Sequence, residues 1–246
     1  MGKQRDKGDI ESGWNNYNNN DQLYPMMLES PQLRWGFIRK VYAIISMQLL
    51  LTVAVGAAVV FYRPIPEFFV KTTYGLVAYI AIIIFTFILM IPLYFYHKRH
   101  PVNYLLLALF TIAIAFSVGL SCAFTKGKIV LEAAILTSIV VVSLTLYTFW
   151  AVKRGHDFSF LGPFLFASLM VLMVFALIQI FLPLGKLTLM IYSALAAVIF
   201  CGYIIYDTDN MIKRYSYDDY IWAAVALYLD VVNLFLSLLT ILRLTD

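Results

Sequence analysis

Long apolar runs of about twenty residues alternate along this chain with short polar breaks rich in Lys, Arg, His, Pro and Gly. Seven runs occur, at about 37–62, 76–95, 103–124, 129–150, 162–182, 187–207 and 222–243. A helix needs ~20 apolar residues to cross ~30 Å of hydrocarbon, and each run supplies that length. None shows the ~10-residue inside–outside alternation of a transmembrane β-barrel. The pattern predicts an all-α membrane protein, with seven transmembrane helices in one bundle. Arg63-Pro64-Ile65-Pro66, His97-Lys98-Arg99-His100-Pro101, Thr125-Lys126-Gly127-Lys128 and Lys153-Arg154-Gly155-His156-Asp157 are the breaks that end spans 1 to 4. Pro183 and Gly185 end span 5, and Pro92 is expected to kink the end of span 2.

Residues 1–32 are polar, with an Asn-rich stretch at Asn15 to Asn20. They have too little apolar surface to form a core and are expected to be a disordered N-terminal segment, leaving 33–246 as the membrane domain. The basic and aromatic stretch from Arg34 to Tyr42 is expected to anchor span 1 at the interface.

Composition supports this division. The chain is 62% hydrophobic and 13% charged, against about 25% charged residues in a soluble domain. There is no room for a separate soluble enzyme. Of the 18 Lys and Arg residues, 12 fall in the N-terminal segment and in loops 2, 4 and 6. The positive-inside rule therefore puts the N-terminus in the cytosol, and the net charge of +4 is a topology signal and not a nucleic-acid surface. The first partner is the lipid bilayer. Whether the C-terminus lies on the far side depends on whether span 7 crosses or re-enters. Cys122 and Cys201 both lie in apolar runs and are expected to be small buried hydrophobes.

Against this background the acidic residues stand out. Asp230 lies eight to ten residues into span 7, roughly 12–15 Å along the helix. No cation is near it in sequence, and Asn233 shares its helix face. A carboxyl at that depth is costly and marks an ion or proton pathway by default. The competing role is a protonated, hydrogen-bonded carboxyl that only holds the bundle together. Asp207 lies near the end of span 6, whose short connection to span 7 makes the two antiparallel neighbours. Two facing carboxyls in a low-dielectric site cannot both ionise cheaply and share a proton, which suits a pH sensor. Ionised, Asp207 and Asp230 also offer hard oxygen ligands for transient calcium. Asp209, Asp218 and Asp219 read as interfacial or loop residues. Lys98 and Arg99, on the same predicted face, are candidates to latch onto an ionised Asp207. Glu132, at the start of span 4, is either a helix-start carboxylate favoured by the macrodipole or a secondary acidic site on a cation path. His97, His100 and His156 have no metal-ligand spacing, and no nucleotide-binding or hydrolase motif is present. No cofactor is expected, with calcium only as a permeant ion.

Arg34-x-x-Phe37-Ile38-Arg39-Lys40-Val41-Tyr42, followed by Gln48-Leu49-Leu50-x-Thr52, resembles the start of the lifeguard branch of the transmembrane Bax-inhibitor-motif family. Tyr203-Ile204-Ile205-Tyr206-Asp207-Thr208 and Leu227-Tyr228-Leu229-Asp230-Val231-Val232-Asn233-Leu234-Phe235 resemble its two signature stretches. The resemblance runs from about residue 33 to the C-terminus. It implies a seven-helix protein of endomembranes that leaks calcium in a pH-sensitive way and restrains programmed cell death. It further implies a di-aspartyl sensor at Asp207 and Asp230, a latching arginine in the His97 to His100 region, read as Arg99, and an acidic position at Glu132. Two rival functions remain open. One is cell-death control through membrane or cytosolic partners without ion flux. The other is an intramembrane aspartyl protease, which also places Tyr-Asp on one span and Asp on the next. The Gly-x-Gly-Asp and Pro-Ala-Leu motifs of such proteases are missing here, so no enzyme activity is expected.

Overall fold

A computed structural model describes residues 22–25, 27–182 and 185–246. The described residues form eight helices and no strand: α1 (Pro31–Phe61), α2 (Pro64–Lys71), α3 (Thr73–Tyr96), α4 (Val102–Ala123), α5 (Gly127–Lys153), α6 (Leu161–Phe181), α7 (Lys186–Lys213) and α8 (Tyr220–Thr245). Seven are long and apolar enough to cross a membrane. The eighth, α2, is too short to show as a span; it begins at Pro64, which suits the first helical turn because proline needs no donor there. Thr72 then caps α3, its hydroxyl accepting from the Gly75 N–H at 2.9 Å. Gly75 has no alternative, because a Cβ there would lie 2.1 Å from the Phe68 carbonyl oxygen.

α8 sits at the centre and packs against α1, α4, α5 and α7. It runs from one face of the bundle to the other. At its start, Asp219 bonds Lys98 in the α3–α4 connection; at its end, the Asp246 side chain bonds Lys126 beside the start of α5. Its 26 residues span about 39 Å. The last span is therefore long enough to cross the ~30 Å of hydrocarbon. The flanking helices α3 and α6 are peripheral: α3 packs on α2 and α4, and α6 on α7.

Polar pairs and small residues hold the interior, as expected where hydrocarbon offers no hydrophobic drive between helices. The Gln48 amide donates to the Thr111 hydroxyl at 3.0 Å, joining α1 to α4. The hydroxyls of Thr52 and Tyr228 lie 2.8 Å apart, joining α1 to α8. Gly56 and Gly119 let α1 and α4 touch backbone to backbone: a Cβ on Gly119 would lie 3.0 Å from the Gly56 Cα. Gly119→Leu is accordingly expected to cost about 1–3 kcal/mol by overpacking, seen as a lower melting temperature in detergent.

The basic and aromatic stretch expected to lie at the interface is instead the first two turns and more of α1. Arg34, Phe37, Ile38 and Val41 are buried on one side of it. The helix begins at Pro31, six residues before the apolar run, because these side chains find a buried surface. Leu23 and Met27, on the described part of the N-terminal segment, pack into the same core. The Asn-rich stretch lies outside the described residues.

Candidate functional site

Gly202 allows close packing of α7 on α6, where a Cβ would meet the Leu165 side chain at 2.8 Å. Beyond it α7 continues unbroken through Asp207 to Lys213, two turns further than its apolar run. The five residues after Arg214 turn the chain, and α8 returns alongside α7. This antiparallel pairing brings Asp207 and Asp230 to the lining of one cavity. Asp230 is only 5% exposed, and its Oδ2 has no hydrogen-bond partner among the described residues. Asp207 is half-buried. The spacing of the two residues from the connection brings them to one level of the bundle.

Both carboxyls line one cavity of about 780 Å³. α4, α7 and α8 form its floor, and α3 and α6 flank it. On α7 the lining residues run from Asp207 back to Leu189, 18 residues or about 27 Å of helix. Among the described residues, no Lys, Arg or His lines the cavity. Asn233 also faces it, one turn beyond Asp230, and its amide donates to the Leu229 carbonyl at 2.8 Å. Among the described residues no group of three or more His, Cys, Asp or Glu converges. Two carboxyls alone fall short of the six to eight oxygens that calcium prefers, so any calcium here must keep much of its water.

The two latch candidates do not reach Asp207. Lys98 pairs with Asp219 at 3.0 Å, and His97 Nε2 lies 3.1 Å from the same carboxylate oxygen. Arg99 is exposed, with its guanidinium over the Tyr96 ring. Asp219 caps the start of α8, so the α3–α4 connection is tied to the end of the helix that carries Asp230, not to the pair itself. Burial raises the Asp219 pKa, but hydrogen bonds from Lys98, His97 and the Ser216 N–H outweigh it and leave the carboxyl below its ordinary range. A carboxyl with a lowered folded-state value contributes stability above its unfolded value of about 3.9 and loses it below. Mild acid therefore leaves this contact intact. Asp219→Asn is expected to lower stability by no more than about 1 kcal/mol, since Lys98 is half-exposed. In melting curves the difference from wild type should persist from neutral pH to about pH 5 and close only below about pH 4.

Glu132 is exposed on α5, 3.6 Å from Lys128 one turn before it, and does not line the cavity. Asp209, which reads as interfacial in the sequence, is fully buried. Lys213 lies 2.7 Å from it and Arg214 3.9 Å. The same two cations hold Asp157, in the α5–α6 connection, at 3.4 and 3.0 Å. The Ser159 hydroxyl hydrogen bond, with the Ser159 N–H and Lys213, outweighs burial and lowers the Asp157 pKa to about 2, so Asp157 keeps its charge in mild acid. The i, i+4 spacing of Asp209 and Lys213 was the available signal for the pair. Arg34 is the other residue that sequence reasoning missed. It is 1% exposed, donates to the Tyr215 carbonyl at 2.6 Å and bonds Glu29. No sequence signal marks a contact between residues 181 positions apart.

Comparison with known proteins bears on this arrangement. Residues 34–246 match the family described as inhibitor of apoptosis-promoting Bax1. The chain belongs to this Bax-inhibitor family. It is 67% identical over 237 residues to Protein LIFEGUARD 4 of Arabidopsis thaliana, covering 96% of this chain and 95% of that protein. Protein LIFEGUARD 2 of the same plant is 68% identical over 224 residues, covering 91% and 94%. The Golgi anti-apoptotic protein of vaccinia virus (strain Lister) is 34% identical over 217 residues, covering 88% and 89%. The Bax-inhibitor match includes both carboxyl-bearing helices, the central α8 and Arg34. It begins at Arg34 itself, where α1 is clamped to the α7–α8 connection.

Proposed function

We propose that this protein restrains programmed cell death as a pH-sensitive calcium leak of an endomembrane, with Asp207 and Asp230 as its proton sensor. The observation that carries the reading is that two carboxyls, on neighbouring helices, line one cavity that follows most of the length of α7. With one shared proton, the pair forms a charge-assisted hydrogen bond between α7 and α8, about twice as strong as a neutral one. A second proton replaces it with a neutral contact, loosens α7 from α8 and opens the path. The cation latch of the sequence reading has no part in this step, because Lys98 holds Asp219. The relatives named for anti-apoptotic action support the cell-death role, and the Golgi in one such name supports an endomembrane. The Lys and Arg distribution supports a cytosolic N-terminus.

Calcium flux from loaded proteoliposomes, measured against pH, tests the reading. Wild type should leak faster as pH falls, and Asp207→Asn should lose that dependence. The alternative, cell-death control through partners without flux, is favoured by the Asn-rich segment preceding the membrane domain. That reading requires deletion of residues 1–21 to abolish cell-death suppression while Asp230→Ala preserves it.

A further inference from the structure

The cavity has a feature that an ion path does not need. Apart from the carboxyls, Asn233 and a few hydroxyls, its walls are apolar, with Phe87, Leu172 and Phe200 on three different helices. Five Ser and Thr hydroxyls line it, each donating within its own helix; Tyr192 and Tyr203 line it as well, with Tyr192 donating to the Leu172 carbonyl on α6 at 3.4 Å. Thr86 donates to Ile82, Ser117 to Ala113, Ser193 to Leu189, Ser237 to Asn233 and Thr240 to Leu236, at 2.7–3.3 Å. Away from the carboxyls, its Ser and Thr donors are already used, which leaves few partners for an ordered water column. The space is nevertheless large, about 780 Å³, within the ~300–1,000 Å³ of ligand sites. Its mouth lies between α3 and α6, neither of which packs on the other, and both face hydrocarbon.

The dimensions and charge select an occupant. From Asp207 to Leu189 the lined face of α7 runs about 27 Å, nearly the ~30 Å thickness of the hydrocarbon. One turn beyond Leu189, on the same helix face, stands the exposed Lys186. The carboxyls lie part-way along the cleft, away from Lys186, so a negative headgroup is favoured at the lysine. We propose that the cleft holds one acyl chain of a phospholipid that enters from the bilayer between α3 and α6, with the phosphate at Lys186 and the chain directed toward the Asp207–Asp230 pair. The chain costs no dehydration, because it exchanges one hydrocarbon surface for another. Seated there, it excludes water from the length of the cleft and bars a hydrated cation. Opening the leak then requires the chain to leave. This role as a plug rests on the leak reading; occupancy of the cleft does not.

The test is lipid retention by native mass spectrometry of the full chain in mild detergent. The probe is dioleoyl phosphatidylglycerol, and a second arm uses dioleoylglycerol, which has the same chains and no phosphate. Wild type is expected to retain one phospholipid per chain, saturably. Ala176→Phe, which fills the cleft from α6, should lower retention at least tenfold, while Ala176→Ser should not change it. Met173→Trp fills the same gap and gives a second reading if Ala176→Phe does not fold, as judged by melting temperature. Lys186→Glu should lower phospholipid retention about fivefold or more and leave dioleoylglycerol unaffected. Absence of saturable retention in wild type, or equal retention in the folded cleft-filling variants, overturns the proposal. Equal retention of the two lipids overturns the phosphate at Lys186. Calcium flux separates the two readings: retention without flux in any protein removes the leak and keeps the lipid site, and flux without retention removes the plug.

Discussion

Replacing Asp207 by Asn is expected to leave calcium release from proteoliposomes independent of pH, where wild-type release rises several-fold on acidification from about pH 8 to pH 6. The reason lies in what the pair can exchange. Asp207 and Asp230 share a cavity whose described lining holds no cationic side chain, so the proton is the available charge compensation for the second carboxyl. Around the midpoint, each pH unit changes the ratio of protonated to ionised pair tenfold, or about 1.36 kcal/mol. An Asn side chain keeps the size of Asp and a hydrogen-bond donor toward Asp230, but it cannot ionise. The α7–α8 contact then lacks its charge-assisted state when Asp230 is protonated, and the release rate stays on the fast side over that range. Asp230→Asn leaves Asp207 to titrate without its neighbour and should move the midpoint while preserving a pH response. Flux recorded for wild type and both variants at matched protein density checks this. A normal pH profile in Asp207→Asn would exclude the pair as the sensor. The outer contacts cannot substitute: Asp219 lies below the ordinary carboxyl range and Asp157 is lowered to about 2, so neither titrates on mild acidification.

The second large effect is on stability. Arg34→Ala is expected to cost about 1–3 kcal/mol, the range for leaving a buried acceptor unsatisfied, since Glu29 is itself exposed. Arg34 reaches the Tyr215 carbonyl at 2.6 Å, bonds Glu29, and lies 5.0 Å from the centre of the Tyr217 ring and 5.5 Å from that of Phe37. It therefore joins the segment before α1, α1 itself and the α7–α8 connection. Burial pushes Glu29 up, but hydrogen bonds from Tyr217 and Arg34 outweigh it and hold its carboxyl below the usual range. Truncation leaves the Tyr215 carbonyl without its donor and Glu29 without its cation. Arg34→Lys should recover only part of the loss, because an ammonium cannot reproduce the planar fork that meets carbonyl and carboxylate together. Thermal unfolding in detergent measures the loss. Limited proteolysis between residues 22 and 30 should accelerate in the same variant, as the clamp on that segment is gone. A melting temperature within a degree of wild type would show that the clamp contributes nothing.

The seven crossings were legible because hydrocarbon imposes one local requirement, about 20 successive apolar residues, and each run meets it without reference to the others. The Asp207–Asp230 pair was legible for a related reason. The connection between α7 and α8 is short, so consecutive helices must be antiparallel neighbours, and the distance of each carboxyl from the turn fixes its level. Helices within a membrane are apolar on every side, so no polar stripe distinguishes the face toward protein from the face toward lipid. The central place of α8, the gap between α3 and α6 and the cleft behind it therefore emerge only when all the helices are packed. The same holds for charge. Asp209 and Asp219 stand two and twelve residues after Asp207 and look alike in the chain. One is sealed beneath Lys213, four residues on in the same helix, and the other is bound by Lys98 and His97, because the α3–α4 connection arrives beside it from a distant part of the sequence. Local composition determines which segments enter the membrane, whereas which acidic residues are buried, and contacts such as those of Asp219 and of Arg34 with Tyr215, are set by packing between segments far apart along the chain.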